Sequence, residues 1–421
     1  MSFPHPTAAG TGAGALALLL AATAPAAAAP DSYDDALARA ALHQISLQLP
    51  SGLLRYDFDF LADKGEDMKE ISEANLARQA GSAFGLAEYY RDSRDESLRA
   101  PLKRLLEAFV RLSVPVGKGG LQTAVEALRL HRLPFAQFKL RSALRSAGLL
   151  YLPRGEGLLL SPDGRHETAW AGITALALLA EINYAKASGD DGFASARLAW
   201  RRGLEMLHLP GAGIRENPND LFESAYANGE TWLAFATYAA EYPGDKAFEA
   251  RLADLDDYVI ATYTADPANG FFHWGAITAN LRRAATGDPR FVDFSADQAR
   301  WALASQAEKV YENYNSCGLI EGLGSALATL RDGKSADARL VERLAKRVGT
   351  EMAKNLSLQI PDGTRVLDLA GDVRLEAPRL ADNAGAFLAG WSQIYVRIDI
   401  TQHCMSAMGK LRRHGLVPAR P

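Results

Sequence analysis

Two kinds of helix alternate about six times along this chain. One kind is crowded with Gly and Ala and follows a loop bearing Tyr, Asn, His or Trp, near 75–90, 168–186, 222–241, 273–286, 315–331 and 382–396. The other is amphipathic and rich in Arg, Lys, Asp and Glu, near 98–112, 191–207, 246–262, 295–310, 336–356 and 401–413. Small side chains let backbones approach closely, which suits a crowded inner ring. A charged amphipathic helix suits an outer ring with one wet face. The units differ in length, which argues against a fixed-period solenoid and favours an alternation that closes on itself. The expected fold is therefore all-α: an (α/α)6 toroid of alternating inner and outer helices with small β-hairpin insertions. Loops entering the inner helices would then converge on one end of a central cavity.

No linker divides the 421 residues, so residues 30–421 read as a single toroid domain. Net charge is −4 and no Lys/Arg run tracks phosphates, so nucleic acid is not an expected partner. Residues 1–29 read as a signal peptide. Residues 13–24 form an apolar core too short to span a bilayer, and Ala26–Ala29 offer small residues for cleavage. The first ten residues carry no Lys or Arg, only His5, which departs from the usual leader. The leader has no cysteine, so a lipid anchor there is excluded. The expected location is periplasmic or secreted, with no membrane span in the mature chain.

Residues 31–47 read as a capped amphipathic helix. Leu54, Tyr56, Phe58 and Phe60 alternate with Arg55, Asp57 and Asp59, the period of an extended strand. Residues 149–162 read as a hairpin turning at Arg154-Gly155-Glu156, and 356–376 as a second β segment. Two further helices are expected within 119–149.

Candidate chemistry clusters in five places. Asp57 and Asp59 share a strand face about 7 Å apart. Paired carboxylates in glycosidases sit roughly 5–9.5 Å apart, so both are candidate catalytic groups. Arg78 opens a Gly/Ala helix and should face the cavity or a carboxylate. His166 could act as a base, with Trp170 beside it as an aromatic platform. Tyr226 and Glu230 fall at helical spacing with Glu223, putting two carboxylates and a phenol on one face, with Asn228 nearby. His273, Trp274, Tyr314 and Asn315 offer flat rings and hydroxyl-seeking amides for a sugar. Arg397 and Asp399 read as an ion pair closing the ring against its first unit.

The only cysteines are Cys317 and Cys404. In an exported protein they could form a disulfide. The alternatives are a zinc site of Cys317, His403 and Cys404, or two free buried thiols. No cofactor is otherwise expected.

The leader, the β-flanked first unit and the alternating Gly/Ala-rich helices resemble the six-hairpin (α/α)6 toroids of carbohydrate-active enzymes. These include unsaturated-uronate hydrolases, polysaccharide lyases and the C-terminal domain of glucuronyl C5-epimerases. The resemblance spans most of residues 50–413 as a pattern, with no catalytic motif matching residue for residue. A narrower likeness is to lanthionine-synthetase cyclases, toroids that bind zinc through two Cys and one His. It rests on CGLIEG at Cys317 and on His403-Cys404, whose order is reversed relative to that family. The first resemblance implies an exported glycan-processing enzyme binding a polysaccharide or oligosaccharide. Hydrolysis of an anionic or cell-surface polysaccharide is the leading expectation. Uronate lysis or C5-epimerisation, non-catalytic polysaccharide binding in an export or biosynthesis system, and a zinc-dependent toroid enzyme are the alternatives.

Overall fold

The computed structural model describes residues 33–65, 72–117, 156–218, 220, 223–305, 313–369 and 373–416, together with 139 and 143. The signal segment, the helices expected within 119–149 apart from positions 139 and 143, and the first half of the 149–162 hairpin lie outside the described residues.

Twelve long helices build the described chain: α1 (Tyr33–Ser46), α2 (Glu73–Ser93), α3 (Arg99–Arg111), α4 (Ala171–Ser188), α5 (Ala194–Leu207), α6 (Ala225–Glu241), α7 (Lys246–Ala265), α8 (Asn269–Thr286), α9 (Arg290–Ser305), α10 (Cys317–Asp332), α11 (Ala338–Ser357) and α12 (Ile398–Arg413). The even-numbered helices form a closed inner ring, each packing on the next, and α12 returns to α2. The odd-numbered helices lie outside them. The architecture is the (α/α)6 toroid.

Local sequence explains each layer. In α4, Thr174–Ala185 is buried without interruption, including Glu181 and Asn183, as a helix surrounded on every side must be. By contrast, α3 buries Pro101, Leu102, Leu105, Leu106, Ala108 and Phe109 along one stripe and leaves Lys103 and Arg104 exposed. Each Leu or Phe side chain removed from water stabilises by about 2 kcal/mol, so Phe109→Ala would cost several kcal/mol, about 3–5 with its cavity. Close approach between α2 and α12 depends on Gly85. A Cβ there would stand 2.8 Å from Cγ of Gln402. Helix ends are capped by side chains: Ser72 accepts from the Asn75 amide, Asp245 from Phe248 and Asp337 from Leu340.

All inner helices run the same way. The N-terminal turns of all but α10 open on one axial cavity, and the C-terminal halves of the ring open on a second. Leu176 and Trp274 line the first; Phe84, Leu233 and Ile277 line the second; the Phe84 and Trp274 rings are 6.5 Å apart. The hollow is thus divided by apolar side chains. Parallel helix dipoles leave the second end negative, and cations gather there. Lys410 pairs with Glu88 at 2.9 Å, Arg413 with Asp92 at 2.7 Å and Arg91 with Glu241 at 2.6 Å.

Two expectations are corrected. Residues 382–396 are not a sixth inner helix; they hold the end of a short 3-10 turn, irregular chain and the start of β8 (Tyr395–Arg397). The stretch 401–413 is not an outer helix but the core of α12, the sixth inner one. Thr401, Gln402, Cys404, Met405, Ala407 and Met408 are buried. Its charges are concentrated in the last turn, where Lys410, Arg412 and Arg413 meet the negative helix end. The sixth outer position is filled by α1, from the other end of the chain. Gln44 donates to the Ile398 carbonyl at 2.6 Å, and Arg412 pairs with Asp34.

The strands are small. β1 (Asp57–Asp59) pairs antiparallel with β8 in the register Asp57↔Arg397 and Asp59↔Tyr395. β2 (Ser113–Val116) pairs with β3 (Gly157–Leu160), so the second half of the expected 149–162 hairpin finds its partner after α3. β4 (His208–Leu209) and β5 (Gly213–Ile214) form one hairpin, β6 (Val366–Leu369) and β7 (Val373–Glu376) another. A disulfide joins Cys317, at the start of α10, to Cys404 on α12. The zinc set of Cys317, His403 and Cys404 is therefore not formed: both sulfurs are spent on each other. No described helix is long and apolar enough to cross a membrane.

Candidate active site in the axial cavity

The cavity at the N-terminal end of the inner ring has a volume of about 470 Å³. Each inner helix except α10 sends its first turns into the wall. Arg78 comes from α2, Gly172 and Ile173 from α4, Tyr226 and Glu230 from α6, His273 and Trp274 from α8, and Asp399, Gln402 and His403 from α12; Trp170 and Glu216 come from the preceding loops.

Glu230 is a strongly perturbed carboxyl in the wall. It is 9% exposed, and burial pushes its pKa up to about 8, with the neighbouring carboxylate of Glu216 adding to the rise. At neutral pH Glu230 is a neutral acid. Glu216 is raised as well, by burial first and by Asp220 second. Glu230 can lie against α4 because Gly172 has no side chain; a Cβ there would fall on the Glu230 carboxyl.

On α12, Asp399 organises the cationic side. Arg397 grips it at 2.6 and 2.9 Å, and Arg78 reaches it at 3.1 Å. Burial works against the Asp399 charge, but Arg397 outweighs it and holds the carboxyl below its usual range. The Arg78 guanidinium also sits 5.5 Å above the Tyr56 ring.

On the α8–α12 side, the His273 and His403 rings stand edge to face with centroids 5.6 Å apart. His403 Nδ1 is 2.5 Å from the Glu321 carboxylate, which projects from α10 and is wholly buried. Burial lowers His273 to about 3, so it is neutral. Burial also opposes charge on His403, but the Glu321 carboxylate outweighs it and raises the imidazole. Glu321 itself is lowered: its burial is overcome by His403.

Several buried polar atoms around this cavity make no hydrogen bond within the protein: Trp170 Nε1, Trp274 Nε1, His273 Nε2, Gln402 Nε2 and Glu321 Oε1. An unsatisfied buried polar atom costs about 1–3 kcal/mol, so a ligand rich in hydroxyls gains by meeting them.

The sequence-derived candidates divide accordingly. Arg78, Trp170, Tyr226, Glu230, His273 and Trp274 line the cavity together, with Tyr226 55% exposed at its mouth. Asp57 and Asp59 do not. Asp57 lines a small crevice with Arg55 and His43, and the Asp59 carboxylate accepts from the Leu61 and Ala62 amides to cap a turn. His166 sits in a short 3-10 turn (His166–Thr168) outside the lining. Asn228 is structural: its Oδ1 accepts from Ile214 and its Nδ2 donates to Glu223 and to Tyr263 at 2.8 Å. Tyr314 bridges to Gly390. Asn315 holds the start of α10, accepting from the Cys317 amide and donating to the Leu388 carbonyl. Glu216, Asp399 and Gln402, which belong to the sequence's polar clusters, line the cavity as well, and Glu321 joins the site although the sequence reading did not single it out. Glu321 carried a signal, since a lone carboxylate inside a Gly/Ala-rich stretch is the same anomaly that marked Arg78.

No known family's sequence profile matches the chain, and no curated protein matches it in sequence. Solved structures do match it in fold. A GH76A alpha-1,6-mannanase from Salegentibacter sp. HEL1_6 superposes with TM-score 0.57 at 12% identity, covering 91% of this chain and all of its own. A sugar epimerase from a ruminal bacterium gives 0.56 at 12% identity over 89% of this chain and 97% of its own. An unsaturated glucuronyl hydrolase specific for heparin gives 0.51 at 10% identity over 90% and 97%. The chain shares the six-hairpin toroid of these carbohydrate-active enzymes.

Proposed function

We propose that this chain is an exported glycan-processing enzyme, a glycoside hydrolase whose catalytic centre is the Glu230 cavity. The observation that carries the reading is Glu230 itself: a buried carboxyl kept protonated at neutral pH beside a second carboxyl, Glu216, in one cavity. Hydrolysis needs a protonated acid for the departing oxygen and a carboxylate to stabilise or attack the sugar cation or to activate water. Glu230 fits the first position and Glu216 the second. Trp170 and Trp274 offer faces for sugar rings. Arg78 and the converging positive helix ends favour an anionic sugar or polysaccharide. Structural neighbours with this fold include a mannanase variant captured with alpha-1,6-mannotetrose, which agrees with an oligosaccharide ligand here. The apolar leader within residues 1–29 supports a periplasmic or secreted location.

The test is reducing-end release from a panel of neutral and uronate-containing oligosaccharides. Turnover that falls at least ~100-fold in Glu230→Gln supports the reading, a loss in the range expected of a general acid. Full turnover in that variant removes Glu230 from catalysis. A protein that binds oligosaccharides without turning any over is a binding module instead.

One observation favours a second reading, elimination or epimerisation. His273 and His403 face each other across the cavity wall; burial lowers the first and Glu321 raises the second, so the pair offers two differently tuned imidazoles for moving a proton. New absorbance from an unsaturated uronate, or deuterium uptake into the sugar without chain cleavage, would select it over hydrolysis.

A further inference from the structure

We propose that His273, Glu321 and His403 form a binding site for a divalent transition-metal ion of the zinc class, set into the cavity wall. Their ligand atoms, two imidazole nitrogens and a carboxylate oxygen, all lie within 4.8 Å of one another. Around a tetrahedral ion with bonds of about 2.0–2.1 Å, such atoms stand roughly 3.3 Å apart, so small side-chain rotations close the set. Two of the atoms ask for a partner: His273 Nε2 and Glu321 Oε1 are buried and make no hydrogen bond.

The frame is rigid. The three ligands come from three adjacent inner helices, α8, α10 and α12. The disulfide ties the last two together at their ligand-bearing turns, because Cys404 follows His403 and Cys317 lies one turn before Glu321. The local charge accommodates a cation. Lys410 stands 4.0 Å from Glu321 but pairs more closely with Glu88, at 2.9 Å, and Asp399 interacts favourably with His403. Two imidazoles with one carboxylate are a borderline donor set that suits zinc, iron, cobalt or nickel over calcium or magnesium. His273 and His403 both line the cavity, so the remaining coordination positions face a bound ligand. An ion there would take two neighbouring sugar oxygens or a uronate carboxylate. The inference does not rest on the hydrolytic reading.

The test strips the full chain with a chelator and reloads it with Zn²⁺, Co²⁺ or Mn²⁺. Metal content is read by mass spectrometry, and Co²⁺ geometry by visible absorption. About one ion per chain is expected, with a thermal midpoint that rises on loading. His273→Ala removes a cavity-wall ligand and should bind at least ~100-fold more weakly, losing the cobalt bands; Glu321→Gln should do the same. Retention of no ion by the wild type, or equal retention by wild type and His273→Ala, overturns the site. A metal-free protein that still cleaves glycans defeats the metal site and leaves the hydrolase intact. A metal-binding protein inert on every glycan does the reverse.

Discussion

Replacing Glu230 with Gln should destroy turnover and, above neutral pH, make the protein harder to unfold. Burial holds the Glu230 carboxyl at about 8, against an ordinary 4.5. Between those values the native state keeps a proton that the unfolded chain has released. Stability therefore falls as pH rises across that window, by about 1.4 kcal/mol per pH unit. Below the ordinary value both states are protonated and nothing is lost. By pH 8 the loss reaches about 4 kcal/mol, and at pH 5 it is still under ~1 kcal/mol. Gln keeps the side chain's shape and removes its titration. Unfolding entropy for roughly 390 residues is about 0.8 kcal/mol/K, so the variant's Tm should exceed wild type by ~5 °C at pH 8 and by only ~1 °C at pH 5. Calorimetry at both pH values and fixed ionic strength measures the gap. A gap of equal size at both, or a variant less stable at pH 8, refutes the reasoning, because the wild-type carboxyl would then not be carrying a buried proton.

Gly172→Ala places a methyl group where the Glu230 carboxyl lies, so kcat/KM should fall at least ~10-fold while far-UV circular dichroism stays unchanged. Reducing the Cys317–Cys404 bridge releases an 87-residue separation, worth about 4–5 kcal/mol in the chain-entropy model, and the thermal midpoint with reductant should drop by roughly 5 °C. Trp170→Ala should raise KM for an oligosaccharide by about tenfold through lost ring stacking, read by initial rates, with a smaller change in kcat. Asp57→Asn and Asp59→Asn, both outside the cavity, should leave kcat/KM within about twofold.

The repeating layers were legible because packing leaves a compositional trace. A helix buried all round, such as α4, must be made of small and apolar residues, and one with a wet side, such as α3, must be striped. Where a helix mixes the two traits the trace misleads. The last turn of α12 carries three cations for its dipole's sake, and these made an inner helix read as an outer one. The sixth outer helix could not be found by reading forward, because α1 precedes everything it closes. Site residues were legible where a charge interrupts a small-residue helix, as Arg78 does. Asp57 and Asp59 show the limit: their spacing matched the chemistry, but spacing along a strand says nothing about the distance from that strand to the axis. Glu216 belongs to a visible polar cluster, but its place beside Glu230 was not readable, because it sits in a loop whose path only the fold determines.

The pairing of α1 with α12 has a consequence for how the molecule comes into being. Gln44 meets Ile398, Asp34 meets Arg412, and β1 meets β8, so the seam joins segments more than three hundred residues apart. A ribosome extending this chain has made eleven of the twelve described long helices before α12, the closing partner of the first, exists. Contacts of such long sequence span form slowly. Until α12 has emerged, the ring lacks the helix that packs on both α1 and α2. Closure therefore waits on α12, and deletion of that helix should leave a ring that never shuts.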